Sequence, residues 1–379
     1  MKTLKDIDLK GKTVLVRAGF DVPIENGKVQ DNFRITAGLE TVKYLLQNHC
    51  KIILAFHIGR KGDKENPALP VAPVVEELKR IMRDVSFLEV SSWAGQIEDS
   101  DSRRMEKKMA RGLREGQILV LENLRLHPGE EKNDDHFARE LASLADVFVQ
   151  DAFCVLHRDH ASVTGVPKYL LTVAGFLVAR EVEELDNAAE RPTHPALVVI
   201  GGAKTETKIP VIANLLTQGY DQVLAGGVVA NIFLKNQKVD LKNSTVDQEY
   251  LDDAAAIWDQ FQSKIVLPSD YVWNEKEQIF DIGGETIRHY QDLINAAKTI
   301  IWNGPMGVFE EEKFRAGTLK IGEAIAVSSA KKIAGGGDTI AALRKFKLLK
   351  QMDFISTGGG VMLEFLAGKK LPGLKILNK

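Results

Sequence analysis

Two kinds of residue follow the short apolar runs of this 379-residue chain, and they divide it in half. In the first half the runs lead into cations. Thr13–Arg17 opens a loop that reaches Arg34, and Lys51–Phe56 is followed by His57-Ile58-Gly59-Arg60. Gln117–Leu121 leads to Arg125, and Asp146–Gln150 to His157-Arg158. A lone arginine at a strand end is normally a surface salt bridge. Several converging on one sheet edge repel one another until an anion joins them, and guanidinium meets phosphate and carboxylate through paired hydrogen bonds. A small, multiply charged substrate is the chemistry this half suggests.

In the second half the runs lead into glycine. Ala196–Ile200 precedes Gly201-Gly202-Ala203-Lys204, Gln222–Ala225 precedes Gly226-Gly227, and Thr299–Trp302 precedes Asn303-Gly304-Pro305. Lys331–Ala334 gives way to Gly335-Gly336-Gly337-Asp338-Thr339, and Asp353–Ser356 to Gly358-Gly359-Gly360. Glycine lets backbone N–H groups approach phosphate oxygens, and a following helix presents its positive end. One such loop is a tight turn; five in one half point to a nucleotide polyphosphate. Lys204 and Lys208, four apart, share a face if a helix begins there. Asp338 reads either as a helix N-cap or, beside a polyphosphate, as a Mg²⁺ ligand, since Mg²⁺ takes few carboxylates and several phosphate oxygens. Glu310 is left open between capping a helix and holding a ribose hydroxyl.

The elements that must position these residues alternate. Between the strands lie helical patterns at Ile35–His49, Val71–Arg83, Thr207–Leu216, Asp247–Gln262, Thr318–Ser329 and Thr339–Phe346. That alternation predicts an α/β fold with two doubly wound, parallel-sheet, Rossmann-like domains joined by a helix, with a cleft between them. The expected limits are an anion-binding domain over 1–168, a connecting helix region over 169–190, and a nucleotide-binding domain over 191–365. Residues 366–379 form a terminal segment that can pack back on the N-terminal domain. The Gly165–Lys168 turn is the best boundary. With 50 Lys+Arg against 52 Asp+Glu, the formal charge of −2 favours neither nucleic acid nor a membrane surface as partner. Cys50 and Cys154 are far apart and read as free thiols, and the first residues have no signal-peptide core; a cytoplasmic location is expected. His157-Arg158-Asp159 mimics a protein-kinase catalytic loop, but Thr164 stands where that motif needs Asn, and no GxxxxGK[ST] occurs.

The strings LVRAGFDVP, DNFRI, HIGR, LENLRL, DAF...HR.H.S, GGAKTETK, WNGPMGVFE, GGGDT, STGGG and GKKLPG stand in the order and spacing of phosphoglycerate kinases. The chain resembles that family from about Leu9 to its end. The resemblance implies reversible phosphoryl transfer between 1,3-bisphosphoglycerate with Mg-ADP and 3-phosphoglycerate with Mg-ATP, in a hinge-closing monomer. It implies that Arg34, His57, Arg60, Arg125 and Arg158 hold the phosphoglycerate, with Gly19, Phe20, Asp21, Ile58 and Gly59 beside them. Lys208 and Lys204 would serve the nucleotide and transferring phosphates, Asp338 the Mg²⁺, and Glu310 the ribose. Thr339 and the neighbouring glycines would hold phosphates, and Ala203, Asn303, Pro305, Gly307 and Phe309 would complete the nucleotide site. Arg34 and Lys204, with Lys208, are the catalytic candidates, because phosphoryl transfer depends on in-line positioning and charge stabilisation.

The chain departs from the family pattern in places. Gly19-Phe20-Asp21 stands for Asp-Phe-Asn, Phe56 for Ser, Lys61 for Pro and Cys154 for Gly. Without a side chain at Gly19, one hydrogen bond to a substrate hydroxyl is missing, at an expected cost of about 0.5–1.5 kcal/mol. Asp21 near a substrate phosphate would cost up to ~4 kcal/mol before arginines offset it. Asp21 is expected either to bind the hydroxyl that position 19 no longer reaches or to pair with an arginine. Two other readings compete: an acyl-phosphate kinase with a different carboxylate substrate, and a weakly active binding protein. Arg34, Lys204, Lys208 and Asp338 argue against the last.

Overall fold

The structure, a computed structural model, describes residues 1–59, 69–83, 85–89 and 109–378. The chain forms two compact units, Met1–Val182 with Lys370–Lys379, and Glu183–Lys369.

The first unit holds six strands: β1 (Thr13–Ala18), β2 (Lys51–Ala55), β3 (Phe87–Glu89), β4 (Ile118–Val120), β5 (Val147–Asp151) and β6 (Leu171–Ala174). They form one parallel sheet in the order β3-β4-β2-β1-β5-β6. Its helices include α1 (Phe33–Gln47), α2 (Ala72–Ile81) and α3 (Asp135–Ala142), and α4 (Phe176–Glu190) begins here. A parallel sheet must be covered on both faces, and β1 shows how the sequence does it. Val14 and Val16 pack with Ile52 and Leu54 in one cluster, while Leu15 packs with Ile53 and Ala55 in the other. Arg17 shares the parity of Leu15 and is only 1% exposed, a cation where the pattern asks for an aliphatic residue.

The second unit repeats the architecture with β7 (Ala196–Ile200), β8 (Gln222–Ala225), β9 (Ile265–Val266), β10 (Thr299–Asn303), β11 (Lys331–Gly335) and β12 (Phe354–Ser356). Their order is β9-β8-β7-β10-β11-β12, again all parallel. Its helices are α5 (Thr205–Thr217), α6 (Gly227–Asn236), α7 (Leu251–Phe261), α8 (Gly284–Ala296), α9 (Ala316–Val327), α10 (Gly337–Lys345) and α11 (Gly360–Leu366). The final helix α12 (Pro372–Leu377) belongs to the first unit, where the Gly373 amide donates to the Leu156 carbonyl at 2.9 Å.

The expected α/β class and parallel sheets are found, and the ten strands expected from sequence lie within a residue or so of their observed limits. The boundary at Lys168 is corrected: β6 pairs with β5 beyond it, so the first sheet continues to Ala174. The division between units falls inside α4, at Val182–Glu183. Strands β3 and β6 escape the sequence reading because each is a short, half-apolar segment without alternation. Helix α6, GVVANIFLKN, escapes it because apolar residues on every side conceal the period of a helix.

Candidate active site

In open α/β sheets, ligands bind beyond the carboxyl ends of the strands, where the strand order reverses. In the first sheet that reversal lies at β1 and β5. The four adjacent strands β4, β2, β1 and β5 deliver Arg125, His57, Gly19–Asp21 and Cys154–Arg158 to one edge. Arg60, like Lys61, lies outside the described residues.

Arg34 is the second residue of α1, and its Nη1 donates to the Asp21 carbonyl at 2.7 Å. Asp21 takes the second of its two expected courses: Oδ2 lies 3.8 Å from Arg34 Nη1 and 3.6 Å from His57 Nε2, and Oδ1 accepts the Gly59 amide at 2.9 Å. The carboxylate thereby ties the loop after β1 and the start of α1 to the loop after β2. Arg125, 2% exposed, pairs its Nη1 with Glu131 at 2.7 Å, while its Nε and Nη2 are buried with no hydrogen-bond partner among the described residues. Orphaned guanidinium donors are costly in a low dielectric, and a bound anion would satisfy them. Arg158 is half-buried after a 3-10 turn (Phe153–Val155), its Nε donating to His157 Nε2 at 3.3 Å.

The reading of His57 as one of the rim's cations is corrected. It is 3% exposed, and burial followed by the charges of Arg17, Arg125 and Arg34 pushes its pKa well below the usual histidine range. His57 is a neutral ring at physiological pH. The Phe20 and Ile58 side chains are buried in the core, so these two expected site residues have backbone to offer a ligand. Phe20 packs on Phe56 with ring centroids 5.4 Å apart, and a Cβ on Gly38 would meet its ring at 2.9 Å. Gly19 stands against Cys154: a Cβ there would meet the thiol sulfur at 3.4 Å. Two departures from the family pattern therefore share one space. Burial pushes the Cys154 thiol up in pKa while Arg34 and Arg17 pull it down.

The second sheet reverses its order at β7 and β10, which places Gly201–Lys204 beside Asn303–Pro305. Lys204 caps α5, and Lys208 one turn in is 4% exposed, with its Nζ donating to the Gly201 carbonyl. Burial lowers the Lys208 pKa, Asp338 raises it and Lys204 lowers it, which together leave it at about 8. Two lysines and one carboxylate thus interact electrostatically at the switch point. Asp338 is exposed in the first turn of α10, whose N-cap is Gly336; the N-cap reading of Asp338 is corrected. Glu310 caps no helix either. It is exposed in a turn, and its carbonyl accepts Lys345 Nζ at 2.8 Å.

Most of the glycines have a second reason to be there. A Cβ on Gly201 would collide with the Pro305 carbonyl, one on Gly304 with the Gly201 carbonyl, and one on Gly227 would lie 2.7 Å from the Gly202 amide. These loops interlock backbone to backbone. Gly335, Gly226 and Gly307 instead lie closest to side chains, those of Met362, Met306 and Asp281. Asn303 Nδ2 donates to the Gly335 carbonyl at 2.7 Å, and buried Thr339 accepts the Gly304 amide at 2.7 Å through its hydroxyl oxygen. The Thr339 hydroxyl oxygen therefore holds the loop as an acceptor, and its own O–H and the backbone amide are the donors it can offer a phosphate. Phe309 is 4% exposed and stands 6.4 Å, centroid to centroid, from Phe346, while Pro305 is buried among the loops. Gly202 and Ala203 continue the β7 loop into α5. Gly337 differs from the interlocked glycines: apart from its chain neighbours and its own helix backbone, no atom of the described residues lies within 4 Å of its Cβ position, and the first-turn amides of α10 beside it have no intrahelical acceptor.

Sequence reasoning missed Arg17, Glu130, Ser162 and Asp281. A charge inside the apolar run TVLVRA was the available signal for Arg17. Ser162 closes a string already noted for its spacing, and nothing local marks Glu130 or Asp281.

One sheet edge rimmed with guanidinium groups, and another carrying lysines, an exposed carboxylate and open helix amides, define a phosphoryl-transferring enzyme of the two-sheet α/β class. The phosphoglycerate kinase family model matches residues 4–369. The chain is 43% identical to the phosphoglycerate kinase of Moorella thermoacetica over 100% of this chain and 99% of that protein. It is 41% identical to that of Pseudothermotoga lettingae, over 98% and 97%. Among solved structures, phosphoglycerate kinase from Coxiella burnetii superposes with a TM-score of 0.83 at 36% identity, over 99% of this chain and 98% of the other. That from Pyrococcus horikoshii gives 0.86 at 31%, over 100% and 98%. This chain belongs to the phosphoglycerate kinase family, and it is a kinase.

Proposed function

We propose that the chain transfers a phosphoryl group reversibly between 1,3-bisphosphoglycerate with ADP and 3-phosphoglycerate with ATP, as a glycolytic enzyme of the cytoplasm and as a monomer. The observation that carries the acceptor assignment is Arg125, buried with two nitrogens unpartnered among the described residues, beside Arg34 and neutral His57. That environment favours an anion bearing both phosphate and carboxylate. No described helix is long and apolar enough to cross a membrane.

Arg34 and the first unit's rim would hold the phosphoglycerate, and Lys204 and Lys208 the nucleotide phosphates. A Lys208 that loses its solvent shell gains most from a phosphate beside it. Gly337 and the α10 amides fit a terminal phosphate, since nothing described obstructs their approach. Asp338 fits Mg²⁺ as a lone exposed carboxylate next to that position, the donor set of a cation that shares phosphate oxygens. When bound, Mg²⁺ would neutralise charge on the phosphates. The protein's own part is orientation: Arg34 and Lys204 stabilise charge on the transferring group, and hinge closure would bring donor and acceptor in line and exclude water.

A coupled assay with 3-phosphoglycerate and Mg-ATP tests this. Turnover that saturates in both substrates is expected; absence of turnover with nucleotide binding intact would overturn the acceptor assignment.

A further inference from the structure

Arg17 lies at the end of β1 (Thr13–Ala18) and is 1% exposed. Each of its three side-chain nitrogens has a partner. Nε donates to Ser162 Oγ at 2.9 Å, Nη1 donates to the Ala18 carbonyl at 2.6 Å, and Nη2 lies 3.0 Å from His57 Nδ1. We propose that Arg17 is a positioning residue that holds His57 as a neutral ring with its proton on Nε2, so that this histidine serves the acceptor site as an aimed hydrogen-bond donor and not as a cation.

Donors and acceptors decide the tautomer. A guanidinium has no lone pair to offer, so the nitrogen facing it must accept. A ring carrying a proton on Nδ1, whether the other neutral tautomer or the imidazolium, would set N–H against N–H. His57 is left with one form, and the hydrogen-bond network assigns it. The network continues consistently beneath Arg17. The Ser162 hydroxyl accepts from Arg17 and donates to Glu130 Oε1 at 2.6 Å, while the Ser162 amide donates to Glu130 Oε2 at 3.0 Å. Glu130 is fully buried; burial raises its pKa, while Arg17 and the two Ser162 hydrogen bonds favour its charged form and tie it to the cation from below. The same arrangement fixes where the His57 proton points. Nε2 faces Asp21 Oδ2 at 3.6 Å, too far for a direct bond, at the sheet edge where Arg34 begins α1. The groups that face the ring are Arg17 from β1, Asp21 and Arg34 after it, Arg125 from the loop after β4, and His160, whose own pKa burial lowers to about 4.

The proposal rests on the reading of this rim as the phosphoglycerate site, yet its central claim can be measured without turnover. The test is nitrogen NMR on the full chain labelled at histidine, with His57 assigned by its disappearance in His57→Gln and followed between about pH 5 and 8. In the wild type, Nδ1 is expected to be unprotonated, Nε2 protonated, and the ring not to titrate. In Arg17→Met, burial, Arg125 and Arg34 still oppose the charged form, so the ring should stay neutral but lose its fixed tautomer, with the Nδ1-protonated form appearing beside the Nε2-protonated one. There the KM for 3-phosphoglycerate should rise about tenfold, with kcat within about threefold. If Arg17→Met does not fold, Arg17→Lys carries the test: a point charge cannot serve Ser162 and His57 together, and a mixture of tautomers is expected. A wild-type ring that titrates or carries the Nδ1 proton would overturn the proposal, as would an unchanged ring in the folded variant. A wild type with the expected spectrum but no turnover would overturn the acceptor assignment instead, leaving the hold of Arg17 on the ring intact.

Discussion

The two sheets share one architecture and handle anions by opposite means. Both are six-stranded and parallel, and each reverses direction beside its first strand, at β1 and β5 in one and at β7 and β10 in the other. The first places charge at the edge through side chains. It must then restrain them, and Glu130, Glu131 and Asp21 lie among Arg17, Arg125 and Arg34 for that reason. The second relies on backbone amides and two lysines, and its cost is steric: the loops approach so closely that several positions exclude any side chain. A charge cluster can lose one member and keep its shape. An interlocked set of loops has less freedom to do so.

The largest effect that would sharpen this contrast is Arg34→Ala. Removing a cation from the transferring group is expected to lower kcat/KM by about 10³-fold, with nucleotide affinity measured by calorimetry unchanged. Lys208→Met should do the converse, weakening nucleotide binding without loss of thermal stability, because a buried ammonium is exchanged for an apolar chain of similar length. If Arg34→Ala weakened nucleotide binding as much as acceptor binding, the division of labour would be broken.

Two glycines in the second unit separate packing from binding. Gly304, at φ +88° and against the Gly201 carbonyl, has no room for a methyl group, so Gly304→Ala should cost about 3 kcal/mol or more in chemical denaturation. Gly337→Ala meets open space and should leave stability within about 1 kcal/mol. Its methyl group would stand beside the α10 amides, so nucleotide affinity should fall instead. Equal losses of stability in both variants would remove the distinction.

That distinction also marks where the sequence was and was not legible. The β-branched runs exposed ten strands and the α/β class, because parallel strands buried on both faces read as continuous apolar segments. Five glycine loops were legible as a group. What each glycine does was not, since the Gly201–Pro305 contact joins residues far apart in the chain. His57 shows the same limit. Its position in HIGR was plain, but its neutrality depends on Arg17, Arg125 and Arg34 arriving from other elements. Asp21 looked like a misplaced charge until Gly59 and Arg34 stood beside it.

Each unit also buries one carboxyl whose pKa burial raises to about 7: Asp151 in the first and Asp281 in the second. Asp151 accepts the Leu177 and Val178 amides at 2.9 and 3.3 Å, and Asp281 those of Gly317 and Ile282 at 2.7 and 2.9 Å. Those bonds favour the charged form and oppose the effect of burial. A pKa raised on folding gives stability that is complete below the unfolded value near 4 and is lost as pH rises through about 7. Denaturation from pH ~5 to ~8 should therefore show falling stability, and Asp281→Asn or Asp151→Asn should each remove about 2 kcal/mol of that fall. A slope unchanged in both variants would mean that the amide bonds, not burial, set these groups.

The smallest effect concerns the place where the first unit departs from its family. The Cβ position of Gly19 and the Cys154 sulfur are 3.4 Å apart, so a side chain at 19 would pack directly on the thiol. Gly19→Asp alone is expected to destabilise the unit and to raise the KM for 3-phosphoglycerate, because it adds a second carboxylate beside Asp21 and against the Cys154 thiol. Cys154→Gly alone should leave a small void and cost little. The double variant should recover more than the two single effects sum to, with a coupling of about 1 kcal/mol in both denaturation and KM. Additive effects would show that Cys154 only fills space near the site. A positive coupling would show that positions 19 and 154 share one space, next to the Asp21 that Gly59 and Arg34 hold.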